Sequence, residues 1–209
     1  MSPLEQSLIG FTIAAALMTV TPGLDTALVL RTATVEGARR AYHAGLGICL
    51  GCLAWGIVVA LGLGALLAAS ELAYTLLKFA GAAYLVWLGL KLILSSREEL
   101  GAVEEGPRDG GASLWFRRGL LTNLLNPKVG VFYVSFLPQF VPEGSNVTAT
   151  TLLLAAIHAG LGLAWFAALI LATRPIAAAL QKPRTIRLLD RTTGAVFLLF
   201  AGKLALSRD

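Results

Sequence analysis

Two short motifs hold residue types that could do chemistry inside an otherwise apolar chain: Thr21-Pro22-Gly23-Leu24-Asp25 and Asn126-Pro127-Lys128. From Pro22 to Pro127 is 105 residues, half of a 209-residue sequence. Proline lacks a backbone donor and clashes with the carbonyl four residues earlier, so each motif should break a helix and free a carbonyl, that of Met18 or of Asn123. Interruptions at matching positions of two halves are the sequence pointer to a membrane carrier's binding site. Asp25 and Lys128 are the ionisable groups nearest the middle of their runs, and a charge there is costly unless it is paired and used. Opposite charges at one depth suit a zwitterion, its carboxylate near Lys128 and its ammonium near Asp25. Asp25 is equally a candidate proton carrier. The alternative is an ion pair that only locks the two halves together. Thr19, Thr21, Thr122, Asn123 and Asn126 surround the breaks and could bond freed backbone groups or substrate.

The elements that must position these residues are apolar helices. The chain is 56% hydrophobic and 14% charged, with mean hydropathy +0.75, against about 25% charge in soluble domains. Six spans of bilayer length are predicted, at roughly 6–30, 43–68, 72–94, 117–141, 148–172 and 190–207. Lys and Arg concentrate in the 1–2, 3–4 and 5–6 connections, which places those loops in the cytoplasm and both termini outside. The net charge of +5 is thereby assigned to loops facing anionic lipid rather than to nucleic acid. The first run carries Glu5 and no preceding Lys or Arg, so it reads as a retained helix and not a signal peptide. Pro22 lies nine residues before Arg31 and Pro127 nine after Arg118. At ~1.5 Å per residue both breaks fall ~13 Å from the cytoplasmic boundary, near the midplane of a ~30 Å core.

Three helices per half require any internal repeat to be inverted. Repeat 1 is placed at about 1–96, a cytoplasmic linker at 97–116 and repeat 2 at about 117–209, as a single transmembrane domain. A literal echo, His43-Ala44-Gly45-Leu46-Gly47 and His158-Ala159-Gly160-Leu161-Gly162, adds modest support.

The remaining signals are read more plainly. Cys49 and Cys52 have CxxC spacing but lie mid-span, without a helix N-terminus to activate a thiol, and are read as packing residues. His43 and His158 are likewise read as packing residues, and no metal site or cofactor is expected. Gly45, Gly47 and Gly51 suit close helix contact, and Trp55, Trp87, Trp115 and Trp165 suit packing or interfacial anchoring.

These motifs resemble those of the LysE/RhtB superfamily of bacterial amino-acid exporters over nearly the whole chain. The resemblance rests on Thr21-Pro22-Gly23-x-Asp25, Gly37, Gly47 and Gly51, Asn126-Pro127-Lys128, Phe132, Leu137-Pro138-Gln139-Phe140, Gly194 and Gly202. One departure is Leu24, where the family usually has a second proline. The resemblance implies an inner-membrane carrier, not an enzyme, exporting amino acids or close derivatives by proton motive force. It also implies Pro22, Gly23, Asp25, Asn126, Pro127 and Lys128 as functional positions. The expected partners are the amino acid, protons and the lipid bilayer, with a homodimer left open. The competing expectations are an exporter of another solute, such as a metal cation, and a thiol oxidoreductase using Cys49 and Cys52.

Overall fold

The computed structural model describes residues 2–69, 71–94, 111–172 and 182–206. They form eight α-helices with a π turn and a 3₁₀ turn, and no strand occurs among them. The helices are α1 (Pro3–Val20), α2 (Leu24–Val35), α3 (Ala38–Ala69), α4 (Glu71–Leu94), α5 (Ala112–Leu124), α6 (Pro127–Val131), α7 (Val147–Leu171) and α8 (Pro183–Leu206). The π turn Phe132–Phe136 and the 3₁₀ turn Leu137–Phe140 continue α6. Among the described residues three helices are long and apolar enough to cross a membrane: Pro3–Val20, Ala38–Gly62 within α3, and Val147–Leu171. Ala112–Phe116, expected in the linker, form the first turns of α5, while the connector at 97–110 lies outside the described residues. Arg184 and Arg187, in the connection expected before the last span, lie in the first turns of α8, which already begins at Pro183.

Local chemistry sets the ends. Ser2 and Glu5 close a capping box on α1, whose first residue is Pro3. The chain leaves α1 at Thr21, which is extended (φ −68°, ψ 120°) because it precedes Pro22. Extended Gly23 then caps α2. Helix α2 starts at Leu24 itself, so Pro22 and Gly23 suffice for the break. Its C-terminal turn closes at Gly37, whose φ of +91° is left-handed and suits glycine. The second break repeats the device: Asn126 is extended before Pro127, and its Oδ1 accepts from the Lys128 backbone N–H at 3.1 Å.

Helix α3 packs on α5 and α7, α4 on α8, and α1 on α7 and α8. Glycine makes the α3–α5 contact possible. A Cβ on Gly47 would overlap the Phe116 carbonyl oxygen and lie 2.8 Å from Leu120 N, and one on Gly119 would overlap the Ala44 carbonyl oxygen. On the far side of the breaks, Phe11, Phe132, Phe136, Phe140, Phe197 and Phe200 form one aromatic cluster joining α1, the π and 3₁₀ turns and α8. Large apolar side chains also cover the outside, including Leu61, Leu125, Leu171 and Leu199.

Overpacking at Gly119 tests the α3–α5 contact. Gly119→Val is expected to lower stability in detergent by about 1–3 kcal/mol or more. Gly160→Val is expected to leave the melting temperature unchanged, since a Cβ there meets nothing within 4 Å.

Candidate functional site

The two breaks face each other, and each supplies what the other lacks. The Lys128 ammonium donates to the carbonyls of Met18 (3.3 Å) and Thr21 (3.2 Å), at the end of α1 where Pro22 has removed a donor. The Asp25 carboxylate, in the first turn of α2, accepts from Asn123 Nδ2 (2.8 Å) and Asn126 Nδ2 (3.3 Å) beside the other break. Cation to carbonyl end and carboxylate to amides is a reciprocal clamp, and both charges also act on one another across the gap.

Between them lies a cavity of about 50 Å³, lined among others by Thr21, Gly23, Asp25, Asn126 and Lys128. One water needs ~10–15 Å³ by the same kind of measure, so this is room for a few waters. Asn123 stands behind the wall and reaches the cavity through Asp25, and Pro22 and Pro127 act through the backbone. Thr21 is buried and donates to the Leu17 carbonyl at 2.6 Å, while Thr193 of α8 hydrogen-bonds its hydroxyl. Thr19 lines the cavity, its hydroxyl turned to the Ala15 carbonyl at 2.7 Å. Of the residues singled out from the sequence, Thr19, Thr21, Gly23, Asp25, Asn126 and Lys128 line this cavity and Asn123 is bonded to Asp25.

The remaining wall comes from residues that sequence reasoning set aside as packing. Cys49, Cys52 and His158 all line the cavity, with Met18, Ile48 and Phe166. Cys49 and Cys52 are free thiols, and among the described residues no group of three or more His, Cys, Asp or Glu could hold a metal ion. The sequence echo does not mark equivalent places. His43 is half-buried near the start of α3, with Nδ1 2.7 Å from the Arg39 carbonyl, whereas His158 is buried in the middle of α7. Two further buried polar groups, Thr193 and Asp190 on α8, carried no signal in the sequence beyond their apolar surroundings. Trp115 is fully buried under Arg118 (5.0 Å), while Trp87 is exposed beneath Lys91 (4.9 Å).

Gly51 controls how closely Asn123 approaches. A Cβ at Gly51 would stand 2.5 Å from Asn123 Oδ1 and 2.9 Å from its Cβ. Gly51→Ala is therefore expected to pull Asn123 away from Asp25 and to slow any transport through this site on the order of 10- to 100-fold, the scale seen when a positioned group shifts by ~1 Å. A variant with normal transport rates in radiolabel flux assays would show that the Asn123–Asp25 bond is dispensable.

Residues 16–208 match the family described as LysE type translocator. The chain is similar to an uncharacterized membrane protein of Bacillus subtilis, 29% identical over 208 residues that span 96% of this chain and 99% of the relative. It is 30% identical to the threonine efflux protein of Escherichia coli over 90% of this chain and 92% of that protein. It is 28% identical to the homoserine/homoserine lactone efflux protein of Salmonella typhimurium over 95% of each. No solved structure matches.

Proposed function

The chain belongs to the LysE type translocator family, a family of transport proteins and not of enzymes, and on that premise we propose that it is an inner-membrane carrier exporting amino acids or close derivatives. Relatives named for leucine, homoserine and threonine efflux support that substrate class. The single observation that carries the proposal is the reciprocal clamp. Two helix breaks from opposite halves bring Asp25 and Lys128, with their amide and carbonyl partners, to one small cavity.

In this reading the six predicted spans are α1–α2, α3, α4, α5–α6 with its π and 3₁₀ turns, α7 and α8, arranged as two inverted three-helix repeats. The packing supports it. Exchanging the halves turns the α3–α5 contact into contacts of α7 with α1 and α2, and these occur, while α3–α7 and α4–α8 map onto themselves. The apolar outer surface suits lipid. The cavity is too small to load an amino acid without motion, so the breaks serve as hinges for alternating access. Asp25 takes the ammonium group or a coupling proton, Lys128 takes the carboxylate, and Asn123, Asn126 and Thr21 hold both in place. Proton motive force drives export, the loops rich in Lys and Arg face the cytoplasm, and both termini lie outside.

Cells loaded with dipeptides that release labelled amino acids inside test the function. Export of one or a few amino acids, faster than in cells lacking the protein and abolished by a protonophore, is expected. Unchanged release of every amino acid from cells with inserted protein would contradict the proposal. Cysteine labelling from outside tests topology: a Cys at Glu143, between α6 and α7, is expected to react in intact cells, and one at Arg39 only after permeabilisation.

A further inference from the structure

We propose that His158 is a second carboxylate-binding residue of the carrier, acting through Nε2 beside Lys128, with Tyr133 fixing which ring nitrogen bears the proton. The proposal rests on the amino-acid carrier reading and adds to it a residue that selects for a free carboxylate.

His158 is 6% exposed, yet it lines the cavity. Its ring lies between those of Phe132 (5.2 Å) and Tyr133 (5.5 Å), which restricts its rotation. Nδ1 sits 3.0 Å from the Tyr133 hydroxyl, so Nε2 is the nitrogen left to serve the cavity. Lys128 and Asp25 line the same cavity as His158.

The direction of the hydrogen bonds decides what Nε2 offers. Asn123 Nδ2 donates one hydrogen to Asp25 and the other to Cys52 Sγ (3.5 Å). Cys52 and the Tyr133 hydroxyl interact. A thiol whose sulfur accepts from Asn123 has its S–H free to donate to Tyr133 oxygen. In the proposed assignment the tyrosine O–H is the donor to His158 Nδ1 across their 3.0 Å contact, and a neutral imidazole that accepts at Nδ1 carries its proton on Nε2. With that assignment the run from Asn123 through Cys52 and Tyr133 to His158 ends in an N–H donor at the cavity. Tyr133 reaches this position on the π turn Phe132–Phe136, and such turns recur at functional sites because they re-aim side chains. A neutral donor beside Lys128 gives a carboxylate two hydrogen bonds without adding a second positive charge near the substrate ammonium.

The test is counterflow in proteoliposomes with an equimolar mixture of labelled amino acids, competed by unlabelled amino acids or by the matching amino-acid amides, which lack the carboxylate. Wild type is expected to favour acids over amides. In His158→Leu the half-inhibiting concentration of the acids should rise about 10- to 100-fold, the scale of a hydrogen bond to a charged group, while that of the amides stays constant. His158→Gln, whose side-chain amide can place a donor near Nε2, should retain most of the preference. Tyr133→Phe, which leaves the imidazole but removes the donor to Nδ1, should lose part of it. Equal losses for acids and amides in both His158→Leu and Tyr133→Phe would reduce His158 to a packing residue, as would an unchanged preference. Absence of counterflow in wild type would overturn the carrier reading itself, and this proposal with it.

Discussion

Replacing Asp25 with Asn is expected to stop transport while leaving the protein inserted and folded. Two effects combine. The substituted side chain cannot carry the charge that an ammonium group or a proton needs, and removing a hydrogen-bonded charge from such a site costs about 2–5 kcal/mol, roughly 30- to 4,000-fold in rate or affinity. The amide also disturbs its own surroundings. Asn123 and Asn126 both donate to the carboxylate, and an Asn at this position offers a single oxygen to two donors. One of them loses its acceptor, at a cost of about 1–3 kcal/mol. Asp25→Glu keeps the charge but moves it by one methylene, and should retain a measurable fraction of wild-type flux. Flux at the wild-type rate in Asp25→Asn would remove the carboxylate from the mechanism.

Lys128→Met is the second large effect, and it separates two roles of one side chain. As a cap, the ammonium satisfies the Met18 and Thr21 carbonyls that the Pro22 break exposes. Removing it leaves buried acceptors unpaired, worth about 1–3 kcal/mol of stability each, and the melting temperature should fall. In its proposed role it is the charge that holds a substrate carboxylate, and its loss should lower flux by roughly the same 30- to 4,000-fold as for Asp25. Lys128→Gln divides the roles: it offers a neutral donor, so it should recover part of the stability and little of the flux. Lys128→Arg should recover part of both. A Gln variant with full flux would mean that the cation serves only as a cap.

The sequence made the two breaks legible because each combines a proline with a charge inside an apolar run. Hydropathy alone located α3 and α7, and the depth argument from Arg31 and Arg118 placed both breaks at one level; the structure brings them into contact. The rest of the cavity wall was not legible for a physical reason. In a helix that is apolar on every side, such as α3 or α7, hydrophobic periodicity cannot say which face is turned inward. Cys49, Cys52 and His158 therefore looked like filler. Their roles depend on a register that only tertiary contacts set, such as Gly162 facing Cys49 across α3 and α7. Tyr133 was hidden for another reason, since a π turn has no sequence signature and an α-helical count misplaces its side chain. The repeated His-Ala-Gly-Leu-Gly segment shows the opposite hazard. In a chain with 22 glycines, identity of a short apolar string is weak evidence of equivalence, and its two histidines differ in burial and partner.

Purified protein in proteoliposomes, wild type beside Asp25→Asn, with the labelled amino-acid mixture inside and an imposed proton gradient, is the most direct measurement of the central claim. The prediction is gradient-dependent efflux of one or a few amino acids by wild type and background leak by the variant. Equal efflux from both, or none from folded wild type, would contradict a carrier built on the paired helix breaks.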